Sequence, residues 1–325
     1  MSARASRRVS WWGVVQGLLL LATLLWAGRA LSAQWEALRL AATTLQIHWG
    51  WVMLASAIVL GTYAMLIGAW RLLLAGWGSD LRFLPAVRIW TIANLGRYLP
   101  GKVWSVGALG LLASREGVSG PAAAGAAILG TLLNIGAGFG VLALSGARVL
   151  GVFRPWLQSV ALAVSVAFLV GTALLPTVLP LFLRRFAAWR GQPTITQQLP
   201  ARTLWLATGI NMLSWLCYGL AFAALARGVT PQVAAQPALF VVVWTASYLS
   251  GYLVLLVPGG IGVREVVMSG GLVALGLAHP ADATLLALAS RLWLTVWELL
   301  PGLLALGVSP ETLRAVSRSA TDLSR

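Results

Sequence analysis

Tyr252-Leu-Val-Leu-Leu-Val-Pro-Gly-Gly-Ile-Gly-Val-Arg-Glu265 is an apolar run broken in its middle by Pro258-Gly259-Gly260 and closed by a charged pair. Proline removes a backbone donor and glycine lifts the steric limits on the chain, so the stretch predicts two half-helices joined by a break. Broken helices at membrane depth survive only where they are buried in protein or line a cavity. An earlier stretch is built the same way: Ile92-Ala-Asn-Leu-Gly-Arg-Tyr-Leu-Pro-Gly-Lys102, with its break at Pro100-Gly101. Pro100 is followed 21 residues later by Pro121-Ala-Ala-Ala and a long apolar run; Pro258 is followed 22 residues later by Pro280-Ala-Asp-Ala and another. The two regions read as one unit used twice, at about residues 84–147 and 237–307, inside a single integral membrane domain covering residues 1–325.

Everything around these breaks is apolar. Of 325 residues 59% are hydrophobic and only 10% charged, and the mean hydropathy is +0.85. A soluble domain carries about 25% charged residues, so a water-soluble fold is excluded. Runs near the roughly 20 residues needed to cross a bilayer core recur at about 11–33, 49–70, 121–146, 157–183, 203–226 and 284–306. The expected fold is therefore all-α, a polytopic membrane helix bundle of about six full spans plus two Pro-Gly-broken, re-entrant helix pairs. The run from Trp11 follows Arg4, Arg7 and Arg8 and could be a signal peptide, but it exceeds the 7–15 residues of a secretory apolar region and is read as an uncleaved first helix. Residues 34–48 form a short amphipathic stretch expected on the outer surface.

The net charge of +15 resides in 22 arginines and one lysine, and these flank the spans rather than forming a nucleic-acid surface. Counting crossings with the positive-inside rule puts 14 basic residues inside, five outside and four within the membrane. Both termini are then cytoplasmic, in a bacterial inner membrane, with loops near 34–48, 148–156, 227–236 and 279–283 outside. The first broken region opens from the cytoplasm and the second from outside, which makes the repeats inverted, as in many secondary transporters.

The intramembrane cations are Arg97, Lys102, Arg264 and Arg291; the candidate intramembrane anions are Glu265 and Glu298. Each charge at the bilayer centre costs on the order of 3 kcal/mol on insertion scales. Arg264 and Glu265 stand where a helix begins after the break, a place suited to an anion. Arg264 could grip a phosphate with its planar fork while Glu265 orients it, or the two could close a structural ion bridge. Arg97 and Lys102 bracket Pro100-Gly101 similarly, or they snorkel at the cytoplasmic interface. Arg291 and Glu298, seven residues apart, share one face of the last span, beside Trp293 and Trp297, and Arg291 could simply neutralise Glu265 or Glu298. If all six charges are buried, two cations lack a partner, and a headgroup phosphate would supply the missing anion. Asn94, Asn134, Asn211, Ser247 and Tyr248 add polar contacts to substrate or between helices.

Chemistry is sparse. Eight acidic residues contain no Asp-x-Asp pair or paired carboxylates, and neither a nucleophile elbow nor a P-loop is present. Cys217 is the single cysteine, and His48 and His279 have no zinc spacing. No cofactor is expected, and an ATP-driven pump is excluded within this chain.

At Asn94-Leu-Gly-Arg-Tyr-Leu-Pro-Gly-Lys102, and again at Val257-Pro-Gly-Gly-Ile-Gly-Val-Arg-Glu265 with Ala289-Ser-Arg291, the chain resembles the lysylphosphatidylglycerol synthase transmembrane-region family, also described as flippase-like. The likeness spans about residues 12–308. The first motif departs from the family's commoner pattern in its Lys102-Val-Trp, which leaves the lipid open. Bifunctional members fuse this region to a soluble transferase that makes aminoacyl lipids. The present chain ends at Arg325 and is expected to be a stand-alone member without that activity. The resemblance implies a lipid flippase or scramblase-like transporter for an anionic or modified lipid, whether aminoacylated, glycosylated or polyprenyl-linked. The alternatives are an accessory subunit of a lipid-modifying or glycosyl-transfer system, or a lipid transferase. The partners compatible with these readings are a membrane phospholipid or lipid-linked substrate, a lipid-modifying enzyme and a second copy of the chain; nucleic acid is excluded.

Overall fold

A computed structural model describes residues 47–98, 104–153, 155–190, 199–234, 236–254, 260 and 262–307. The expected first helix and most of the 34–48 stretch lie outside the described residues. Among the described residues nine α-helices follow one another: α1 Trp49–Gly76, α2 Phe83–Asn94, α3 Trp104–Ser114, α4 Gly120–Phe153, α5 Pro155–Arg190, α6 Ala201–Val229, α7 Pro237–Leu253, α8 Val263–Ala274 and α9 Pro280–Gly307. A 3-10 turn, Leu95–Tyr98, extends α2. Five helices among the described residues (α1, α4, α5, α6 and α9) contain apolar windows long enough to cross a bilayer, so the chain is a multi-pass helical membrane protein. The expected loop at 148–156 is much shorter than the sequence suggests, because α4 stays helical to Phe153 and α5 begins at Pro155. Pro155 lacks a backbone donor and has a fixed φ, which suits the first helical position that it takes in α5.

Both broken regions are helix pairs. At 1.5 Å per residue, α2, α3 and α8 are each roughly 16–18 Å long, about half of a ~30 Å hydrocarbon core. They therefore enter the membrane without crossing it alone. Within each pair the helices pack on each other, α2 on α3 and α7 on α8. The pairs also pack reciprocally: α4, which follows the first pair, lies against α7, and α9, which follows the second, lies against α2.

Contacts at the helix ends sort the bundle into two faces. On one, Gly76 meets Leu199 and Thr203, Gly125 meets the Trp77 ring, and Arg88 donates to the Ala305 carbonyl at 3.3 Å. That face gathers the ends of α1 and α9 and the starts of α2, α4 and α6. On the other, the His48 amide donates to Gly228 O at 2.9 Å, the Ala234 amide to Leu277 O at 3.3 Å, and the Arg227 guanidinium lies 5.3 Å from the Trp51 ring centre. The α2–α3 pair thus enters and leaves by the first face, and the α7–α8 pair by the second.

Lipid tails are as apolar as leucine, so close packing and interhelical hydrogen bonds must hold such a bundle together. A β-carbon on Gly219 would stand 2.4 Å from Val241 Cα, and one on Gly302 2.8 Å from Thr91 O, which records how closely α6 meets α7 and α9 meets α2. Ser56 on α1 accepts the indole N–H of both Trp293 and Trp297 at 3.0 Å and anchors α9. Two apolar cores result, one around Leu73 and Ile89, the other around Phe222 and Trp244.

Candidate functional site

Between the broken pairs lies a cavity of about 400 Å³, lined from α1, α2, α3, α4, α6, α7, α8 and α9. Its charged side comes from α8 and α9, which contribute Arg264, Arg291 and Glu298. The α7–α8 break sets the position of Arg264. Gly260 and Gly262 hold φ of +65° and +87°, conformations that side chains resist, and α8 starts at Val263. Glu265 reaches back from the third helical position and accepts the Gly262 amide at 2.5 Å, half of a capping box.

Arg264, 5% exposed, is buried against aromatic rings. Its guanidinium carbon sits 3.7 Å from the Tyr248 ring centre and 5.6 Å from that of Trp244. Gly251 makes room for it, since a β-carbon there would meet Arg264 Cγ at 2.6 Å. Arg264 forms no ion pair among the described residues, and its Nε is buried without a hydrogen-bond partner. Desolvated cation–π contact, about 2 kcal/mol, offsets part of the cost of burying this charge.

Of the pairings open to Glu265, the structure forms the one with Arg291 rather than the one with Arg264. Glu265 Oε1 stands 3.8 Å from Arg291 Nε, across α8 and α9. Neighbours in a helix point about 100° apart, so Glu265 turns toward α9 while Arg264 turns toward α7. Glu298, 7% exposed, accepts the Tyr248 hydroxyl at 3.3 Å. One tyrosine therefore touches both a cation with its face and an anion with its hydroxyl.

Of the other candidate residues, Arg97 lies in the 3-10 turn after α2, and Gly260 is buried where α7 ends. Lys102, Pro100, Gly101, Pro258 and Gly259 lie outside the described residues. The polar residues divide: Asn94, Asn134, Asn211 and Tyr248 line the cavity, whereas Ser247 is bonded to the Trp244 carbonyl within its own helix. Trp293 and Trp297 serve the α1–α9 contact. The aromatic base under Arg264 is not among the residues expected from the charges. Trp244, Tyr248 and Tyr252 recur every four residues along one face of α7, and that spacing is the signal that could have found it.

A comparison with curated proteins finds no match. Residues 10–302 match the family described as Lysylphosphatidylglycerol synthase TM region. The match takes in both broken pairs and the cavity between them, and the chain belongs to that family.

Proposed function

We propose that this protein binds an anionic or modified membrane lipid by its headgroup in the cavity and moves it between leaflets, as a flippase or scramblase. The observation that carries the reading is Arg264: a buried cation in a cavity wall with an aromatic ring in place of a carboxylate, and with Nε unbonded. A cation without a counter-ion is costly in a low-dielectric site, and a phosphodiester would neutralise it through charge-assisted hydrogen bonds. Arg291 is held toward Glu265 and stands as the second cation of the cavity. Two broken helix pairs entering from opposite faces, each followed by a span that packs on the other pair, support an inverted repeat with its site between the halves.

The test is translocation of fluorescent phosphatidylglycerol in reconstituted vesicles, read beside the melting temperature of the same preparation. Parent protein should speed translocation over empty vesicles. Arg264→Ala should reduce the rate at least about tenfold, the effect of losing one strong charged hydrogen bond, and should remain folded because it strands no carboxylate. A folded Arg264→Ala protein that moves lipid at the parent rate would falsify the reading.

A further inference from the structure

We infer that the headgroup taken by this cavity is a phosphate bearing a neutral polyhydroxyl group, a sugar or polyol, rather than one bearing an ammonium; the inference rests on the lipid-binding reading above. The part of the wall built from α4 and α6 presents neutral groups, chiefly Thr131, Asn134 and Asn211. Their own bonds leave acceptors open. Asn134 donates its amide to Asn211 Oδ1 at 2.9 Å, and nothing among the described residues donates to Asn134 Oδ1. Thr131 spends its proton on the Ala127 carbonyl at 2.8 Å, which leaves lone pairs on its oxygen.

The same cavity also offers a donor. Trp70, 4% exposed, contributes to the lining, and its indole N–H is buried without a partner. An ammonium only donates, so it could satisfy Asn134 and Thr131 but never Trp70. Hydroxyls both donate and accept, and several on one ring answer all three. Trp70 and Trp90 add broad apolar faces suited to the C–H surface of a sugar or cyclitol. A volume near 400 Å³ falls in the usual range for sites of small ligands, ~300–1,000 Å³.

The experiment titrates full-length protein in phosphatidylcholine nanodiscs with dihexanoyl phosphatidylinositol, phosphatidylmethanol and phosphatidylethanolamine, following tryptophan fluorescence. Phosphatidylmethanol carries the same single charge as phosphatidylinositol and no hydroxyl. Phosphatidylinositol should bind about tenfold tighter than either comparison lipid, the worth of one or two net hydrogen bonds. That ratio should fall toward one in Thr131→Val, which keeps the side-chain shape, and in Asn134→Ala. Equal binding of phosphatidylinositol and phosphatidylmethanol, with Arg264→Ala weakening both, overturns the polyol inference and leaves the phosphate reading standing. Tightest binding of phosphatidylethanolamine overturns it in favour of an ammonium. Undiminished binding of every lipid to Arg264→Ala overturns the reading beneath it. Soluble inositol 1-phosphate separates the two sources of the ligand. Weak competition is expected for a lipid headgroup, whereas competition equal to that of the lipid keeps the class and assigns a free polyol phosphate.

Discussion

Tyr248 joins the two charge types of the cavity, its ring under Arg264 and its hydroxyl on Glu298. The two contacts can be removed separately. Tyr248→Phe keeps the ring and loses only a 3.3 Å hydrogen bond, so thermal unfolding should register a cost of about 0.5–1 kcal/mol. Tyr248→Leu also removes the cation–π contact, and the cost should rise to about 2 kcal/mol or more. Equal melting temperatures for the two variants would mean that the ring carries none of the Arg264 charge. A second pair of substitutions distinguishes charge from shape: Arg264→Lys retains a cation over Tyr248 but lacks the planar fork. Melting near that of the parent with translocation well below it is the expected result. Parent-like translocation by Arg264→Lys would show that charge alone suffices.

At the scale of elements, the glycines beside the break are as constrained as the charges. Gly251→Ala should press a methyl into Arg264 Cγ and Cδ and into Gly260, where contacts would be 2.6, 2.9 and 3.4 Å. Overpacking of this kind costs about 1–3 kcal/mol, and the displaced guanidinium should slow translocation beyond what the stability loss explains. A Gly251→Ala protein with parent melting and parent rate would show that the arginine has slack. Ser56→Ala, remote from the cavity, removes the shared acceptor of Trp293 and Trp297 and should cost about 1 kcal/mol, given roughly 0.6 kcal/mol for an average interhelical bond in a membrane. No change in melting would remove Ser56 as the anchor of α9. These elements also show what the sequence could and could not convey. Long spans were legible because twenty apolar residues in a row admit few alternatives, and both breaks were legible because proline and glycine act locally. Charge partners were not. Whether Glu265 meets Arg264 or Arg291 depends on the rotation of α8 against α7 and α9, and that rotation is set by Gly251, Gly260 and the aromatic face of α7 acting together. The Ser56 anchor joins residues 237 and 241 positions apart, a separation at which helical periodicity carries no information.

For the whole molecule, the two faces of the bundle turn orientation into a question of charge. Arg71, Arg82, Arg88, Arg115 and Arg202 flank the face where the α2–α3 pair enters, while Arg227 lies at the opposite face against Trp51. Arginine and lysine near span ends are retained on the cytoplasmic side, so the first face should be cytoplasmic and the α6–α7 and α8–α9 connections external. In that orientation the α2–α3 pair opens toward the cytoplasm and the α7–α8 pair toward the outside, leaving the cavity between the two broken pairs. Cys217, partly buried on α6, is the only native thiol and must first be replaced. Single cysteines are then introduced as Ser2→Cys, Gln34→Cys, Gln192→Cys, Gln232→Cys and Ser324→Cys, and intact cells are treated with a membrane-impermeant maleimide. Gln34→Cys and Gln232→Cys should react from outside; Ser2→Cys, Gln192→Cys and Ser324→Cys should react only after permeabilisation. Labelling of Gln192→Cys in intact cells, with Gln232→Cys protected, would reverse the molecule in the membrane and exchange the leaflets from which the two broken pairs open.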